Sequence, residues 1–297
     1  MPIIDDTFAE AFPMAGARII ITAHDRELAN SAATELCGNA SSVIGCDTEA
    51  GIEKQIDPYD TPDGRPGVAV LAFGFNRGSL EKAVTNRIGQ NVLTCPTTAC
   101  FNGLECDDKE KRIKVGGQLR YFGDGNQSSK KLGDQRFWRI PVMDGEFLCE
   151  EMFGTVKGVG GGNLLICGTS QLDTLNAARS AAAAINELPD VILPFPAGIV
   201  RSGSKVGSKY PDLKASTNHK WCPTLKGLVE SDLTEEEQAV YEIVIDGLSA
   251  AAVARAMQVG LDIVSEAPGI VRVSAGNYGG KLGPHHFYLH KLGELVG

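Results

Sequence analysis

An internal repeat is the feature of this 297-residue sequence that most limits what it can fold into. Segments 17–36 and 163–188 each begin with an apolar run of strand length, pass through polar residues and continue with apolar residues at helical spacing. The second segment starts 146 residues after the first, and both copies go on to an Ala-Gly-Ile tripeptide, at 50–52 and 197–199. The repeat predicts two copies of one structural unit in the chain.

In each copy the first helix is followed by another apolar run, at 41–46 and 190–194, and then by a further strand and a second helix. Strands are predicted at 68–74, 242–247 and 270–274, and helices at 79–89 and 249–266. Residues 91–95, which would close the first copy, fit either a strand or a helix. Each copy thus has the order strand–helix–strand, strand–helix–strand of the split βαβ, or ferredoxin-like, unit. The predicted fold is α+β: an N-terminal ferredoxin-like lobe with a β insertion over 1–145, and a C-terminal ferredoxin-like lobe over 146–297.

Three insertions decorate the predicted lobes. Residues 47–67 contain TPDGRPG and predict a turn-rich loop, and residues 112–150, around RYFGDG and RFWRIPVMDGEF, predict β-hairpins. Residues 195–238 contain PFPAGIVRSGSKVGSKY. Long loops inside compact domains are usually functional, so the insertions are where a site is expected.

Composition excludes several classes of protein. With 43% hydrophobic and 22% charged residues, the chain is expected to be soluble and globular, and no apolar run approaches the roughly 18–20 residues of a membrane span. The net charge of −9, without a basic stripe, argues against nucleic-acid binding. The eight cysteines form no CxxC motif, and the acidic N-terminus does not resemble a secretory signal. The protein is therefore predicted to be cytoplasmic, with reduced thiols.

Two glycine-containing loops are candidate binding elements. GSKVGSKY (203–210) carries Lys205 and Lys209, and its backbone N–H groups and lysines could hold an anionic ligand. The alternative is a solvated loop. SAGNYGGKLGP (274–284) offers Asn277 and Lys281 as ligand contacts, and its alternative is a tight turn that enters the last strand.

Glu242 is the candidate catalytic residue. It lies near the start of an apolar strand beside Tyr241 and Ile243, and such surroundings favour the neutral form of a carboxyl group. A neutral carboxylic acid can donate a hydrogen bond to a developing oxyanion or act as a general acid. The alternative is a carboxylate that is paired, or that lies at the edge of the strand.

Three other motifs are interpreted as structural. The glycine-rich segment 158–163 precedes a strand, whereas a dinucleotide-binding loop follows one, so a linker or close backbone packing is expected. His286 and His290 are far apart on an extended strand, and His285 points to the other face, so no metal site is predicted. Cysteines 95 and 100 have no adjacent base and are expected to be buried thiols rather than nucleophiles.

Taken together, the motifs resemble those of formylmethanofuran:tetrahydromethanopterin formyltransferases. The motifs are DTFAEAF (6–12), SVIGC with EAGIEK (42–54), TPDGRPG (61–67), PTTACFNG (96–103), RYFGDGNQ (120–127), RIPVMDGEF (139–147), PFPAGIVRSGSKVGSKY (194–210), VYEIVIDGL (240–248) and SAGNYGGKLGP (274–284). They span nearly the whole chain, and several are long. The resemblance is therefore far more specific than any single motif.

The resemblance implies a reaction and a set of partners. The family transfers a formyl group between the amine of methanofuran and N5 of tetrahydromethanopterin, and it forms dimers and tetramers of a two-lobed chain. The methanofuran-type carrier and tetrahydromethanopterin are co-substrates, no cofactor is bound covalently, and the reaction needs no metal. The family's glutamate in Tyr-Glu-Ile-Val-Ile falls on Glu242, beside the formamide. Candidates for the surrounding cleft are Ser204, Lys205, Lys209, Asn277 and Lys281.

Some residues depart from the family pattern. Ala197 stands where the family commonly has glycine, and Asn91 replaces a frequent cysteine, which argues further against a thiol nucleophile there. The stretch 149–163 resembles the bacterial, methylotroph-type branch. In that branch the chain would belong to a formyltransferase/hydrolase complex that carries formaldehyde oxidation toward formate.

Two alternative functions remain open at this point. The chain could be a catalytically silent subunit that only scaffolds such a complex, which would bind carriers without turnover. It could instead be a ligand-sensing, ferredoxin-like regulatory protein, although the long matching loops disfavour that reading.

Overall fold

The computed structural model describes residues 1–203 and 205–295, which contain both α-helices and β-strands. The helices are α1 (Arg26–Cys37), α2 (Arg77–Arg87), α3 (Gly116–Leu119), α4 (Gln171–Asn186) and α5 (Ala250–Glu266). The strands are β1 (Ile3–Ile4), β2 (Phe8–Thr22), β3 (Glu49–Ile56), β4 (Gly67–Gly74), β5 (Ala99–Asn102), β6 (Arg112–Ile113), β7 (Ser128–Leu132), β8 (Gln135–Val142), β9 (Gly145–Glu150), β10 (Phe153–Gly154), β11 (Val156–Gly168), β12 (Val191–Ile192), β13 (Lys205–Val206), β14 (Ala215–Ser216), β15 (Ala239–Gly247), β16 (Ile270–Ser274) and β17 (His285–Tyr288).

The chain divides into two compact units. The N-terminal unit comprises Met14–Lys157, and the C-terminal unit joins Met1–Pro13 to Gly158–Gly297. The N-terminal strand segment groups with the second half of the chain, and residues 146–157 group with the first half.

The N-terminal unit contains the elements β2, α1, β3, β4, α2 and β5 in chain order. β4 pairs antiparallel with β2 and with β3, and β5 pairs antiparallel with the other side of β2. The order across this sheet is therefore β3–β4–β2–β5. Alternate residues of β2, Ile19 and Ile21, are fully buried in a core with Leu36 of α1 and Leu80 of α2.

The prediction that 47–67 is an insertion is wrong for most of that segment. β3 lies within it and pairs along its length with β4, and Ala50 and Ile56 are buried. The second strand of this unit is therefore not at 41–46, where the structure has turns, but at β3, whose polar residues obscure the strand pattern in the sequence. One of them, Glu53, accepts hydrogen bonds at 2.6 Å from both Nε and Nη2 of Arg18, so its buried carboxylate is neutralised by a bidentate ion pair.

Two further local predictions need correction. Of the two possibilities for residues 91–95, the helical one is closer, since Ile88–Val92 is a π-helical turn and the closing strand is β5. Residues 120–123 form a 3₁₀ turn rather than part of a hairpin. The predicted hairpins are formed instead by β7, β8 and β9, which pair in succession as antiparallel strands.

The C-terminal unit has the same order of elements, β11, α4, β12, β15, α5 and β16. β15 pairs antiparallel with β11 and β12, and β16 pairs antiparallel with the other side of β11. The order across the sheet is β12–β15–β11–β16, which is equivalent to that of the N-terminal unit. Its core contains Leu164 and Ile166 of β11, Ile243 and Ile245 of β15, and Met257 of α5.

The first helix of each unit begins in the same way. The side chain of Asp25 accepts a hydrogen bond from the Leu28 amide at 2.9 Å, and Ser170 accepts one from the Asp173 amide at 3.1 Å. Each cap satisfies an amide that the helix itself leaves without a partner. In the described part of the chain, no helix combines the length and apolar character needed to cross a bilayer.

Candidate functional site

Glu242 lies on the face of β15 that points away from the helices. Ile243 and Ile245 of the same strand are buried in the core. Because side chains alternate between the two faces of a strand, Glu242 points to the opposite face. It stands opposite Leu165 of β11, and on its other side it exchanges two backbone hydrogen bonds with Val200, at 2.7 and 2.9 Å. Glu242 is only 3% exposed to solvent, which is unusual for an ionisable side chain.

A small pocket, open to solvent, lies at Glu242. It is lined by Leu165, Val200, Arg201, Ser202, Gly203, Asn218, Trp221, Cys222, Val240 and Glu242. Most of these residues belong to the insertion predicted at 195–238, which therefore covers the open face of the sheet beside Glu242. The pocket joins a carboxyl group to an apolar wall and to polar residues at its rim, as small-molecule sites commonly do.

The lysine-bearing loop lies next to this pocket in the chain. Lys205 begins β13, which pairs with β14, and its Nζ is 3.1 Å from Nδ1 of His219, at the start of the turn that carries Trp221. Lys209 is exposed. Ser204 lies outside the described residues. Neither Lys205 nor Lys209 is among the residues that line the pocket.

Asn277 fixes the glycine-rich loop to the N-terminal strand. Its Nδ2 donates to Oγ1 of Thr7 at 3.1 Å and to the carbonyl of Phe8 at 3.2 Å. Lys281, in the same loop, is exposed. The structure thus gives Asn277 a structural contact and brings neither residue into the lining of the Glu242 pocket.

Glu10 organises this loop and was not identified from the sequence. Its carboxylate accepts four backbone hydrogen bonds, from the amides of Tyr278, Gly280, Leu282 and Gly283, at 2.6–2.9 Å. Burial opposes ionisation, but these four donors outweigh it and lower the pKa of Glu10 to about 2. Glu10 belongs to the DTFAEAF motif, and only the structure shows which residue of that motif has a structural role.

Tyr278 connects the glycine-rich loop with the surroundings of Glu242. Burial raises the pKa of Tyr278, and a negative charge on Glu242 would raise it further, while a hydrogen bond with the Val206 backbone opposes the shift. The phenol therefore stays protonated at neutral pH. Since Val206 belongs to β13, Tyr278 links the loop 274–284 to the lysine-bearing strand.

Arg272 packs against Trp221, which lines the pocket. Its guanidinium carbon lies 4.9 Å from the ring centroid of Trp221. Its Nε is 2.6 Å from Glu237 and its Nη1 is 3.1 Å from Asp5. Burial works against ionisation of Glu237, but the hydrogen bond from Arg272 outweighs it and lowers the pKa of that carboxyl. The sequence singled out none of these residues, because their relation depends on contacts between distant segments.

The motifs interpreted as structural have structural contacts. A Cβ on Gly162 would lie 2.3 Å from Cγ1 of Val253, so the glycine-rich segment allows β11 to approach α5 closely. His286 Nε2 lies 3.0 Å from the Gly283 carbonyl, and His290 Nε2 lies 3.1 Å from that of Ile4. Among the residues described, no three His, Cys, Asp or Glu side chains are gathered as metal ligands.

Neither cysteine of the TCPTTAC motif is prepared to act as a nucleophile. Burial raises the pKa of Cys95, and the charge of Asp25 raises it further. Cys100 is fully buried, and burial raises its pKa well above the usual range. Both thiols therefore remain protonated, which removes the thiolate that nucleophilic attack requires.

Comparison with known proteins identifies the family. The family model described as formylmethanofuran-tetrahydromethanopterin formyltransferase matches residues 2–142, and the one described as its proximal lobe matches residues 145–292. The chain belongs to this formyltransferase family. The resemblance inferred from the motifs is thereby confirmed, and the second family model contains the whole of the Glu242 pocket.

Individual relatives agree with this assignment. The formylmethanofuran–tetrahydromethanopterin formyltransferase of Methylococcus capsulatus is 54% identical over 292 residues, which cover 97% of each chain. The chain superimposes on a solved structure of the formyltransferase/hydrolase complex from Methylorubrum extorquens with methylofuran, with a TM-score of 0.93 and 51% identity, over 99% of this chain and 96% of that one. For the formyltransferase of Methanosarcina barkeri the TM-score is 0.90 and the identity 47%, over 98% of both chains. The identity is thus higher to the bacterial relatives named here than to the methanogen one.

Proposed function

We propose that this chain transfers a formyl group between the amine of a methanofuran-type carrier and N5 of tetrahydromethanopterin. The observation that carries the proposal is the buried Glu242, at the pocket of a chain that matches the formyltransferase family over residues 2–142 and 145–292. Both carriers would be bound together and the formyl group would pass directly between them.

The proposed reaction proceeds through a tetrahedral intermediate. The lone pair of the acceptor nitrogen attacks the formamide carbon, and the electrons of the C=O bond move to the oxygen. The oxygen then re-forms the C=O bond, the bond between carbon and the donor nitrogen breaks, and the proton lost by the acceptor nitrogen ends on the donor nitrogen. No oxidation state changes, so the transfer itself requires no redox cofactor, and no covalently bound cofactor is proposed.

Glu242, in its protonated form, is proposed to stabilise the oxyanion. Its burial on the face of an apolar strand favours the neutral acid, which can donate a hydrogen bond where the charge develops. The rest of the catalysis would come from holding the two carriers in reacting orientation. Removal of one preorganised donor to an oxyanion typically lowers turnover by about 10²–10³-fold.

The carriers are anionic, and the positive side chains near the pocket are proposed to bind them. Lys205 and Lys209 belong to the loop beside the pocket, and Lys281 is exposed on the glycine-rich loop. Ser204 and Asn277 complete the proposed set, Ser204 because it follows the pocket residue Gly203 in the sequence and Asn277 because of the family motif. Arg201, which lines the pocket and is exposed, joins them as a further cation.

The two units are proposed to be related copies of one ferredoxin-like lobe. In each, two strand–helix–strand segments form a sheet in which the first strand lies between the third and the fourth, as in the split βαβ arrangement.

We further propose that the chain forms a homodimer or homotetramer. Because a relative with 51% identity is part of a formyltransferase/hydrolase complex, this chain is also a candidate subunit of such a complex.

Replacing Glu242 by glutamine tests the catalytic assignment. Glu242→Gln keeps the size of the side chain and should preserve folding and carrier binding, while turnover falls by about 10²–10³-fold because the acidic donor is lost. Formyl transfer would be followed by pterin absorbance with the purified chain, and Glu230→Gln, on an exposed carboxylate of the same insertion, should retain full turnover. Near-normal turnover of Glu242→Gln would contradict the assignment. Carrier binding by the wild-type chain without turnover would favour the silent scaffold.

A further inference from the structure

We infer that Trp221, supported by Arg272, receives the aromatic ring of the furan carrier and determines specificity for it. The inference deepens the proposed function and rests on it. Trp221 ends the 3₁₀ turn His219–Trp221 and lines the same pocket as Glu242. The residue that binds a ring and the residue proposed to face the formamide therefore belong to one cavity.

Arg272 is held in a fixed position under the indole. Its Nε and Nη2 donate to the Glu237 carboxylate at 2.6 and 2.9 Å, its Nη1 donates to Asp5 at 3.1 Å, and its Nη2 also reaches the carbonyl of Asp232 at 2.8 Å. The ion pair raises the pKa of Arg272, so its positive charge is permanent. The Arg272 side chain is only 15% exposed. Its guanidinium carbon lies 4.9 Å from the centroid of the Trp221 ring and covers one face of that ring.

A cation on one face of an aromatic ring changes what the other face attracts. The guanidinium draws the π electrons of the indole toward itself. The opposite face becomes less negative and repels an electron-rich ring less strongly when the two stack. Furan is an electron-rich heterocycle, so a Trp221 ring backed by Arg272 is suited to stacking with it.

The other residues of the pocket suit a ligand that carries both a ring and polar groups. Leu165, Val200 and Val240 contribute apolar lining, and Arg201, Ser202 and Asn218 contribute polar lining.

Two substitutions of Trp221 test the inference by activity. In Trp221→Leu the stacking surface is lost, and the KM for the furan carrier should rise about tenfold while the KM for the pterin carrier stays within about twofold. Trp221→Phe keeps an aromatic ring and should show a smaller increase, of about two- to threefold. An equal rise in both KM values, or no rise in either, would overturn the inference.

A fluorescence titration gives a readout that does not depend on turnover. Trp138 is a matched control, since it also lies under a guanidinium, that of Arg120 at 4.7 Å, but in the N-terminal unit. In Trp138→Phe, adding the furan carrier should change the emission of Trp221, whereas in Trp221→Phe the emission of Trp138 should not change. Unchanged emission in Trp138→Phe at a carrier concentration that saturates turnover would refute stacking. Changed emission in a chain without transfer activity would leave the binding assignment intact and reject the proposed function.

Discussion

At the scale of single residues, two buried carboxyl groups have different surroundings. Glu10 receives four backbone N–H donors and is held ionised, whereas Glu242 is buried beside a pocket, where we propose that it acts as a neutral acid. The sequence predicts a role for Glu242, because the residue lies in an apolar strand within a motif that resembles that of the family. It could not identify Glu10, since its four donors come from residues more than 260 positions away.

Removing the charge of Glu10 should destabilise the protein. In Glu10→Gln the amide group offers one acceptor oxygen where the carboxylate offers two, so backbone donors of the loop 274–284 lose their partners. The free energy of unfolding should fall by about 2–4 kcal/mol, measured by urea denaturation at pH 7. Glu35→Gln, on an exposed face of α1, should change it by less than about 0.5 kcal/mol. Equal stability of the two variants would contradict the role of Glu10.

The same substitution predicts a dependence on pH. The folded pKa of Glu10, about 2, is lower than its ordinary value of 4.5, so between these values the unfolded chain binds a proton that the folded chain does not. The contribution of Glu10 is therefore complete above pH 4.5 and is lost as the pH falls toward 2. The difference in urea midpoint between wild type and Glu10→Gln should be constant from pH 7 to pH 5 and shrink at pH 3. A difference that grows on acidification would be inconsistent with this sign.

At the scale of elements, sequence periodicity predicted the positions of strands best where a strand has one apolar face or is apolar throughout. β4 and β15 are apolar runs and were predicted near their observed positions. β3 was missed because it contains Glu53 and Lys54, and the ion pair between Glu53 and Arg18 that makes its burial acceptable joins residues 35 positions apart. Sequence patterns report the average polarity of an element, whereas burial of a charge depends on a partner elsewhere in the chain.

The close packing of β11 on α5 leads to a prediction at this scale. A methyl group on Gly162 would lie 2.3 Å from Cγ1 of Val253, a stiff and fully buried side chain. Gly162→Ala should therefore lower the free energy of unfolding by about 1–3 kcal/mol, as overpacked cores do. In Gly45→Ala the new methyl group has no atom within 4 Å, and thermal unfolding should differ from wild type by no more than about 2–4 °C. If both variants are as stable as the wild type, β11 and α5 are packed less tightly than these distances indicate.

At the scale of the whole molecule, the repeat predicted the order of elements in both units but not which residues each unit contains. The segment Met1–Pro13 belongs to the C-terminal unit because β17 pairs with Phe8–Ala11 and β1 pairs with β16. These pairings join residues at the two ends of the chain, and a comparison of adjacent residues cannot detect them. Those predicted site residues that the structure describes all belong to this C-terminal unit.

The location of these residues in the C-terminal unit predicts which segments carrier binding should protect from amide exchange. Segments with few backbone hydrogen bonds open most easily, so binding should slow their amide exchange most. In hydrogen–deuterium exchange with mass spectrometry, the furan carrier should slow exchange in the irregular segments 199–203 and 205–222, and should leave α1 and α2 of the N-terminal unit unchanged. β15 should change little, because its amides are already bonded to β11 and β12. Glu242→Gln should reproduce the same protection, since it is expected to bind the carrier without transferring the formyl group. Protection confined to Met14–Lys157 would place the furan site elsewhere and remove the basis for assigning it to the Glu242 pocket.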